Sequence, residues 1–270
     1  MKCAMCGVNV MNNVNKTLYI PLYGKSCVSK RGIILHDAKA EEIWTAEGFP
    51  LKGKSTSKWL SFYMAMRARV FDRWLRQQLE AMPEAAVLHL GCGMDSRICR
   101  VGAQGHRWYD VDFPDVIAQR KRYFAENEHY HMLAANVTED DFLSSVHGTT
   151  AIVMMEGISM YLKPQQLQEL MTRLGGRFEQ VRVLMDCYTE FAAKASKYKN
   201  PINDVGVTEV YGLDDPNVLN LGGFRLLREM EITPPDLIEQ LQGMEKNIFK
   251  KLYVGSMSRK LYRMYEFAKR

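Results

Sequence analysis

The sequence predicts an α/β protein: a mostly parallel sheet with helices on both faces, preceded by a helical extension. Three observations predict it. From residue 86, short apolar runs alternate with helix-patterned segments, as strands joined by crossover helices do. The first run ends in Gly91-Cys92-Gly93, where the backbone can turn sharply and approach a ligand with no side chain in the way. The second ends in Asp110-Val111-Asp112, an acidic strand end about 20 residues further on.

The elements follow in order. Residues 1–85 read as a helical cap, and residues 86–270 as the α/β core, with a substrate-side insertion at about 187–217. The best helix of the cap runs from Ser57 to Ala81, because Leu60, Tyr63, Met64, Val70, Phe71, Trp74 and Leu75 recur near helical spacing. Pro83 lies just past its end. Ala86–Leu90 is the first strand, followed by a helix over 96–103. His106–Val111 is the second strand, followed by a helix over Pro114–Asn127 that opens on a proline. His129–Ala134 is the third strand. A short helix over Glu139–Val146, capped by Thr138, leads to the fourth strand, Thr150–Met155. Pro164–Leu174 is a helix and Val181–Asp186 the fifth strand. Tyr188–Lys199 reads as helix, and Asn200–Asn217 as a loop rich in Pro, Gly, Asn and Asp. Gly223–Ile232 and Arg259–Phe267 read as two final strands, with an antiparallel pair among the arrangements open to them.

Bulk properties narrow the function. The chain has 270 residues, 47% hydrophobic and 25% charged, with a formal net charge of +5. It can bury a core without disulfides or metals. Its basic residues are spread along the chain, which argues against nucleic acid and mildly favours an anionic small molecule. No apolar run reaches transmembrane length, so no membrane partner is expected. The six cysteines are scattered, with no secretory pattern ahead of them, and point to a reducing cytoplasm. Cys3-x-x-Cys6 offers two ligands where zinc takes four, so no metal is expected and the pair reads as two thiols of a tail. The sequence leaves the oligomeric state open.

Ligands of an open parallel sheet bind beyond the carboxyl ends of its strands. Four such ends carry signals here. At Gly91-Cys92-Gly93 a dinucleotide fold wants a third glycine, and Ser96 occupies that place, which weakens an NAD or FAD reading. Asp112 stands where an acid accepts hydrogen bonds from ribose hydroxyls, or caps the helix at Pro114. Asn136 reads equally as an adenine contact or a turn residue. Glu156 ends a very apolar strand and must face a polar cleft or be paired. Arg67 and Arg69 sit on the long cap helix, where surface arginines are common. If that helix closes over the sheet, one of them can bind a carboxylate.

These residues resemble a known family. Lys16-Thr17-Leu18-Tyr19-Ile20-Pro21-Leu22-Tyr23, Arg67-Ala68-Arg69-Val70-Phe71-Asp72, Leu90-Gly91-Cys92-Gly93-Met94-Asp95-Ser96-Arg97, Asp110-Val111-Asp112-Phe113-Pro114, Glu156-Gly157-Ile158-Ser159-Met160-Tyr161-Leu162 and Tyr211-Gly212-Leu213-Asp214-Asp215-Pro216 follow the order of the leucine carboxyl methyltransferase family. The resemblance is to its bacterial branch, similar to the tetracenomycin-type polyketide O-methyltransferases. Ser96 replaces the usual Thr, and Asn136 stands where relatives often carry Asp.

The resemblance implies a class I methyltransferase fold, Rossmann-like with a seven-stranded, mostly parallel sheet, and S-adenosylmethionine as cofactor. It implies Arg67 or Arg69 on the methionine carboxylate, with Gly91, Cys92, Gly93 and Arg97 forming the glycine motif. It puts Asp112 on the ribose, Asn136 and Val137 at the adenine, Glu156 facing the methionine ammonium, and Tyr161 near the methyl acceptor. The acceptor is expected to be a small molecule bound between the N-terminal segment and 187–217, with Tyr188, Lys194 and Tyr198 as candidates. A carboxylate acceptor is ionised at neutral pH and needs no base, whereas a phenol does. No histidine suits that task, His89 lying within the first strand, and this favours a carboxylate. The rival readings are an NAD(P)-dependent oxidoreductase and a non-catalytic binding protein on the same scaffold.

Overall fold

The computed structural model describes residues 16–139, 141–196, 201–207 and 209–269. Helices α1 (Tyr19–Lys30), α2 (Ala38–Glu47) and α3 (Lys58–Ala81) precede the first strand. There follow β1 (Ala86–Leu90), α4 (Arg97–Val101), β2 (Trp108–Asp112), α5 (Pro114–Arg120), β3 (Tyr130–Ala134), β4 (Thr150–Met155), α6 (Pro164–Arg177), β5 (Gln180–Tyr188) and α7 (Glu190–Ala195). After these come β6 (Arg225–Met230), α8 (Gly243–Tyr253) and β7 (Tyr262–Lys269). The seven strands form one sheet in the order β3-β2-β1-β4-β5-β7-β6. Pairings among β1–β5 are parallel, while β7 runs antiparallel to β5 and to β6. Strand order reverses between β1 and β4, and that is where such a sheet opens a crevice.

The central strands are buried on both faces, hence their continuous apolar runs. Alternation along β1 sends Val87 towards the cap, among Phe71, Trp74, Trp108 and Ile152. Leu88 and Leu90 go to the opposite face, with Leu170 and Leu174 of α6. His89 shares the cap-side face of Val87. Pro114 and Pro164 each open their helix, where a missing N–H costs nothing.

Two expected helices and one expected loop need correction, and one helix was not foreseen. The helix expected over 139–146 is a short 3₁₀ turn at Phe142–Ser145. The helix expected to run to Asn127 ends at Arg120. Helix α8 has no counterpart in the sequence reading. Of the loop expected at 200–217, the described residues hold 3₁₀ turns at Pro201–Val205 and Pro216–Leu219. No helix among the described residues is long and apolar enough to cross a membrane. Cys3 and Cys6 lie outside the described residues.

Candidate active site

The strand ends, α1, α3, α7 and the segment around β7 enclose one cavity of about 720 Å³. Arg67, Gly91, Cys92, Gly93, Asp112, Asn136, Val137, Glu156 and Tyr161 all line it. Its size is in the upper part of the usual range for small-molecule sites, which leaves room for a cofactor and a second small molecule.

The glycine turn is glycine for steric reasons. Gly91 has φ +65°, and a Cβ there would stand 2.4 Å from Ile158 Cγ2. Gly93 has φ +50°. Its N–H donates to Asp112 Oδ2 at 2.7 Å, and Phe113 N–H donates to Oδ1 at 2.8 Å. Each carboxylate oxygen thus keeps a lone pair for a ligand. Burial raises the Asp112 pKa to about 6, against the lowering effect of those two N–H groups. Burial also pushes the Cys92 thiol well up, which makes it a poor nucleophile.

Glu156, at the end of β4, is held from two sides. Arg67 Nε donates to Oε1 at 3.0 Å, and Arg97 Nη2 donates to Oε2. Its acidity is governed by burial, which Arg97 and Arg67 outweigh, so the carboxyl stays ionised. Arg67 reaches on to Asp186 at the end of β5 (2.9 Å) and to the Tyr262 hydroxyl (2.9 Å), both through Nη1. Its Nη2 makes no hydrogen bond to the described residues. That nitrogen lies 3.3 Å from where a Cβ on Gly157 would stand, and Gly157 has φ +73°. The glycine therefore leaves a guanidinium edge uncovered at the cavity wall.

Two predicted ligands do not line the cavity. Arg69, two residues on from Arg67, points about 200° round the helix. It lies among Arg73, Arg76 and Asp72, and its pKa is lowered, first by burial and then by those arginines. Arg97 is fully buried behind Glu156, where it also donates to Asp72 Oδ1 at 2.7 Å. Asn136 lines the cavity, but its Oδ1 accepts from the Thr138 N–H (3.1 Å) and hydroxyl (2.9 Å). Those are the bonds of a turn residue. Among the acceptor candidates, Tyr188 lines the cavity, Lys194 is exposed and pairs with Glu190, and Tyr198 lies outside the described residues.

Sequence reasoning missed two groups. Lys25 of α1 is buried, lines the cavity, and pairs with Asp95 at 2.8 Å. Its signal was a lysine among apolar neighbours at the start of the chain. Asp186 accepts the Gly157 N–H at 2.7 Å and anchors Arg67; its signal was an acid closing an apolar strand. Of the cavity lining, Leu60, Tyr63, Tyr188, Leu252, Tyr253 and Tyr262 bring neither a carboxylate nor an imidazole, while His89 of β1 also lines it, buried with its ring nitrogens 3.3 Å from Asp110 and 3.2 Å from Arg97.

The leucine carboxyl methyltransferase family model matches residues 12–175. The tetracenomycin polyketide synthesis O-methyltransferase TcmP of Streptomyces glaucescens is 29% identical over 241 residues, 87% of this chain and 89% of that protein. The S-adenosyl-L-methionine-dependent methyltransferase dpfgK of Gibberella zeae is 29% identical over 62% of this chain and 61% of its own length. Among solved structures, magnesium protoporphyrin IX methyltransferase from Synechocystis, with S-adenosylhomocysteine bound, superposes with a TM-score of 0.50 at 11% identity. The superposition covers 87% of this chain and 100% of that one, a likeness of fold.

A doubly wound sheet with a glycine turn and an acid at adjacent strand ends, in this company, defines an S-adenosylmethionine-dependent methyltransferase. The chain belongs to the leucine carboxyl methyltransferase family.

Proposed function

We propose that the protein transfers the methyl group to a carboxylate oxygen of a small, polyketide-like acid. The observation that carries this is the tyrosine-bearing wall of the cavity formed by Tyr63, Tyr188, Tyr253 and Tyr262. A phenol or alcohol acceptor needs a base within reach. That wall brings no carboxylate or imidazole, and its Tyr63, Tyr253 and Tyr262 all have pKa values raised, first of all by burial, as has Tyr161; His89, also at the cavity, has its ring held between Asp110 and Arg97. A carboxylate arrives already ionised. The likeness to TcmP, named for polyketide O-methylation, supports the same reading.

The residues present fit S-adenosylmethionine. When bound, it supplies a sulfonium-activated methyl group. Arg67, through its uncovered Nη2, holds the methionine carboxylate, with Lys25 as a second cation. Glu156 keeps lone pairs for the ammonium. Asp112 takes the ribose hydroxyls through its remaining lone pairs, and the backbone of Gly91, Cys92 and Gly93 passes alongside. Val137 and the turn at Asn136 border the adenine. Tyr161 stands at the methyl acceptor. Arg97 positions Glu156 and touches no ligand.

The chain's contribution to rate is then alignment and exclusion of water. An anion meets a cation and two neutral groups leave, so an apolar, tyrosine-lined chamber favours the reaction over hydrated reactants. The pH dependence of kcat/KM tests this. With a carboxylic acid acceptor it is level between about pH 7 and 9, because the acceptor is already ionised throughout that range. A rise of about tenfold per pH unit in that range would mean an acceptor hydroxyl losing its proton, and would overturn the proposal.

A further inference from the structure

The mouth of the cavity is apolar on its outer side as well. Leu252 and Leu261 both line the cavity, yet they are 52% and 45% exposed. Leu252 ends a stripe on α8: Met244 and Ile248 precede it at helical spacing and are 78% and 37% exposed. The stripe runs about 12 Å outward from the mouth at 1.5 Å per residue. Phe191, 62% exposed, adjoins the lining residue Ala192. A monomer seldom gathers exposed large side chains in this way without a use for them. The inner face of α8 is settled by Phe249, fully buried against Phe62 and Tyr253. The outward stripe is therefore not core that failed to pack.

We propose that the acceptor is an amphiphile: its carboxylate sits in the chamber, and its apolar end leaves by the mouth and lies along Met244, Ile248 and Leu252. The continuity of the stripe with the cavity, through Leu252, is what assigns it to the acceptor. The proposal rests on the carboxylate reading above and extends it to the length of the substrate. Chain length past the chamber is then a source of affinity, at roughly a three- to fourfold gain for each methylene buried.

The test is calorimetric titration of the whole protein, saturated with S-adenosylhomocysteine, with straight-chain carboxylates from hexanoate to hexadecanoate. Affinity is expected to climb along the whole series. In Met244→Glu and Ile248→Glu the climb should stop partway, at the chain length that fills the chamber. Leu227→Glu, at a residue 46% exposed on β6 and not lining the cavity, should follow the wild type throughout. A wild-type climb that stops partway, or α8 variants that follow the wild type to hexadecanoate, would overturn the proposal. So would sedimentation showing a wild-type dimer that Ile248→Glu separates, since a second copy would then cover the stripe. Binding is read without turnover, so intact length-dependent binding with no methyl transfer would sink the carboxylate reading and leave only the role of the α8 stripe in binding an apolar chain.

Discussion

Asp112 carries the clearest consequence at the scale of a single residue. Burial raises its carboxyl to about 6 in the folded protein, above the ordinary aspartate value of about 4. Ribose hydroxyls donate to the ionised form, so cofactor binding must draw the proton off. Affinity for S-adenosylhomocysteine should therefore rise as pH rises through about 6 and level off above it. Protons should be released on binding near that pH, measurable by calorimetry in two buffers of different ionisation enthalpy, and Asp112→Asn should abolish the release. The same sign applies to the empty protein. Its stability from this group is present at low pH and lost as pH rises from about 4 through the folded value. Gly157 gives a second test. Gly157→Ala puts a methyl group 3.3 Å from Arg67 Nη2 in a backbone region disfavoured for side chains. We expect at least a tenfold, about 1.4 kcal/mol, loss of S-adenosylhomocysteine affinity, with an unchanged circular dichroism spectrum.

At the scale of elements, α3 is joined to α4 and the strand ends by buried ions. Asp72 of α3 accepts from Arg97 at 2.7 Å, and from Arg100 at 2.7 and 3.0 Å. Arg100 also pairs with Asp37, the N-cap of α2, at 2.6 Å. Removing one member leaves buried charge unpaired, so Asp72→Asn should cost about 3–5 kcal/mol in urea unfolding. Because Arg97 holds Glu156, that variant should weaken cofactor binding as well, though Asp72 does not line the cavity. Much of the candidate site was legible in the sequence, because a glycine turn and an acid at a strand end are local signals. The lattice behind it was not. Arg97 reads as a ligand beside Gly93, and only the path of α4 turns it to the rear of Glu156. Asp186 gains its role only where Arg67 crosses from α3. Helix α8 escaped notice because its apolar residues lie on both its inner and outer faces, which blurs the helical period.

At the scale of the whole molecule, cap and sheet share one apolar cluster, in which Phe71 and Trp74 of α3 meet Val87 and Ile152 of the sheet. The boundary at residue 85 marks a change of pattern in the sequence. We propose that it does not separate two folding units, since the cap's ion partners Asp95, Arg97, Arg100, Glu156 and Asp186 all lie in the sheet half. Calorimetric unfolding of the whole chain should show a single transition, shifted upward by S-adenosylhomocysteine. Two transitions would separate cap from core. The strand count was legible, since each strand is a short apolar run set between helix-patterned segments or turn residues, whereas the antiparallel end of the sheet was one arrangement among those the sequence left open. The far wall of the cavity was not, because it is assembled from residues distant in sequence, such as Leu60, Tyr188 and Tyr262.

The most direct measurement is transfer of a labelled methyl group from S-adenosylmethionine to a panel of aromatic and alkyl carboxylic acids and matched phenols, followed by mild alkali. With His89 engaged by Asp110 and Arg97 and only tyrosines at the acceptor wall, the chamber predicts label in the acids alone, released as methanol because the product is an ester. Label in the phenols that survives alkali, as an aryl ether does, would contradict the account.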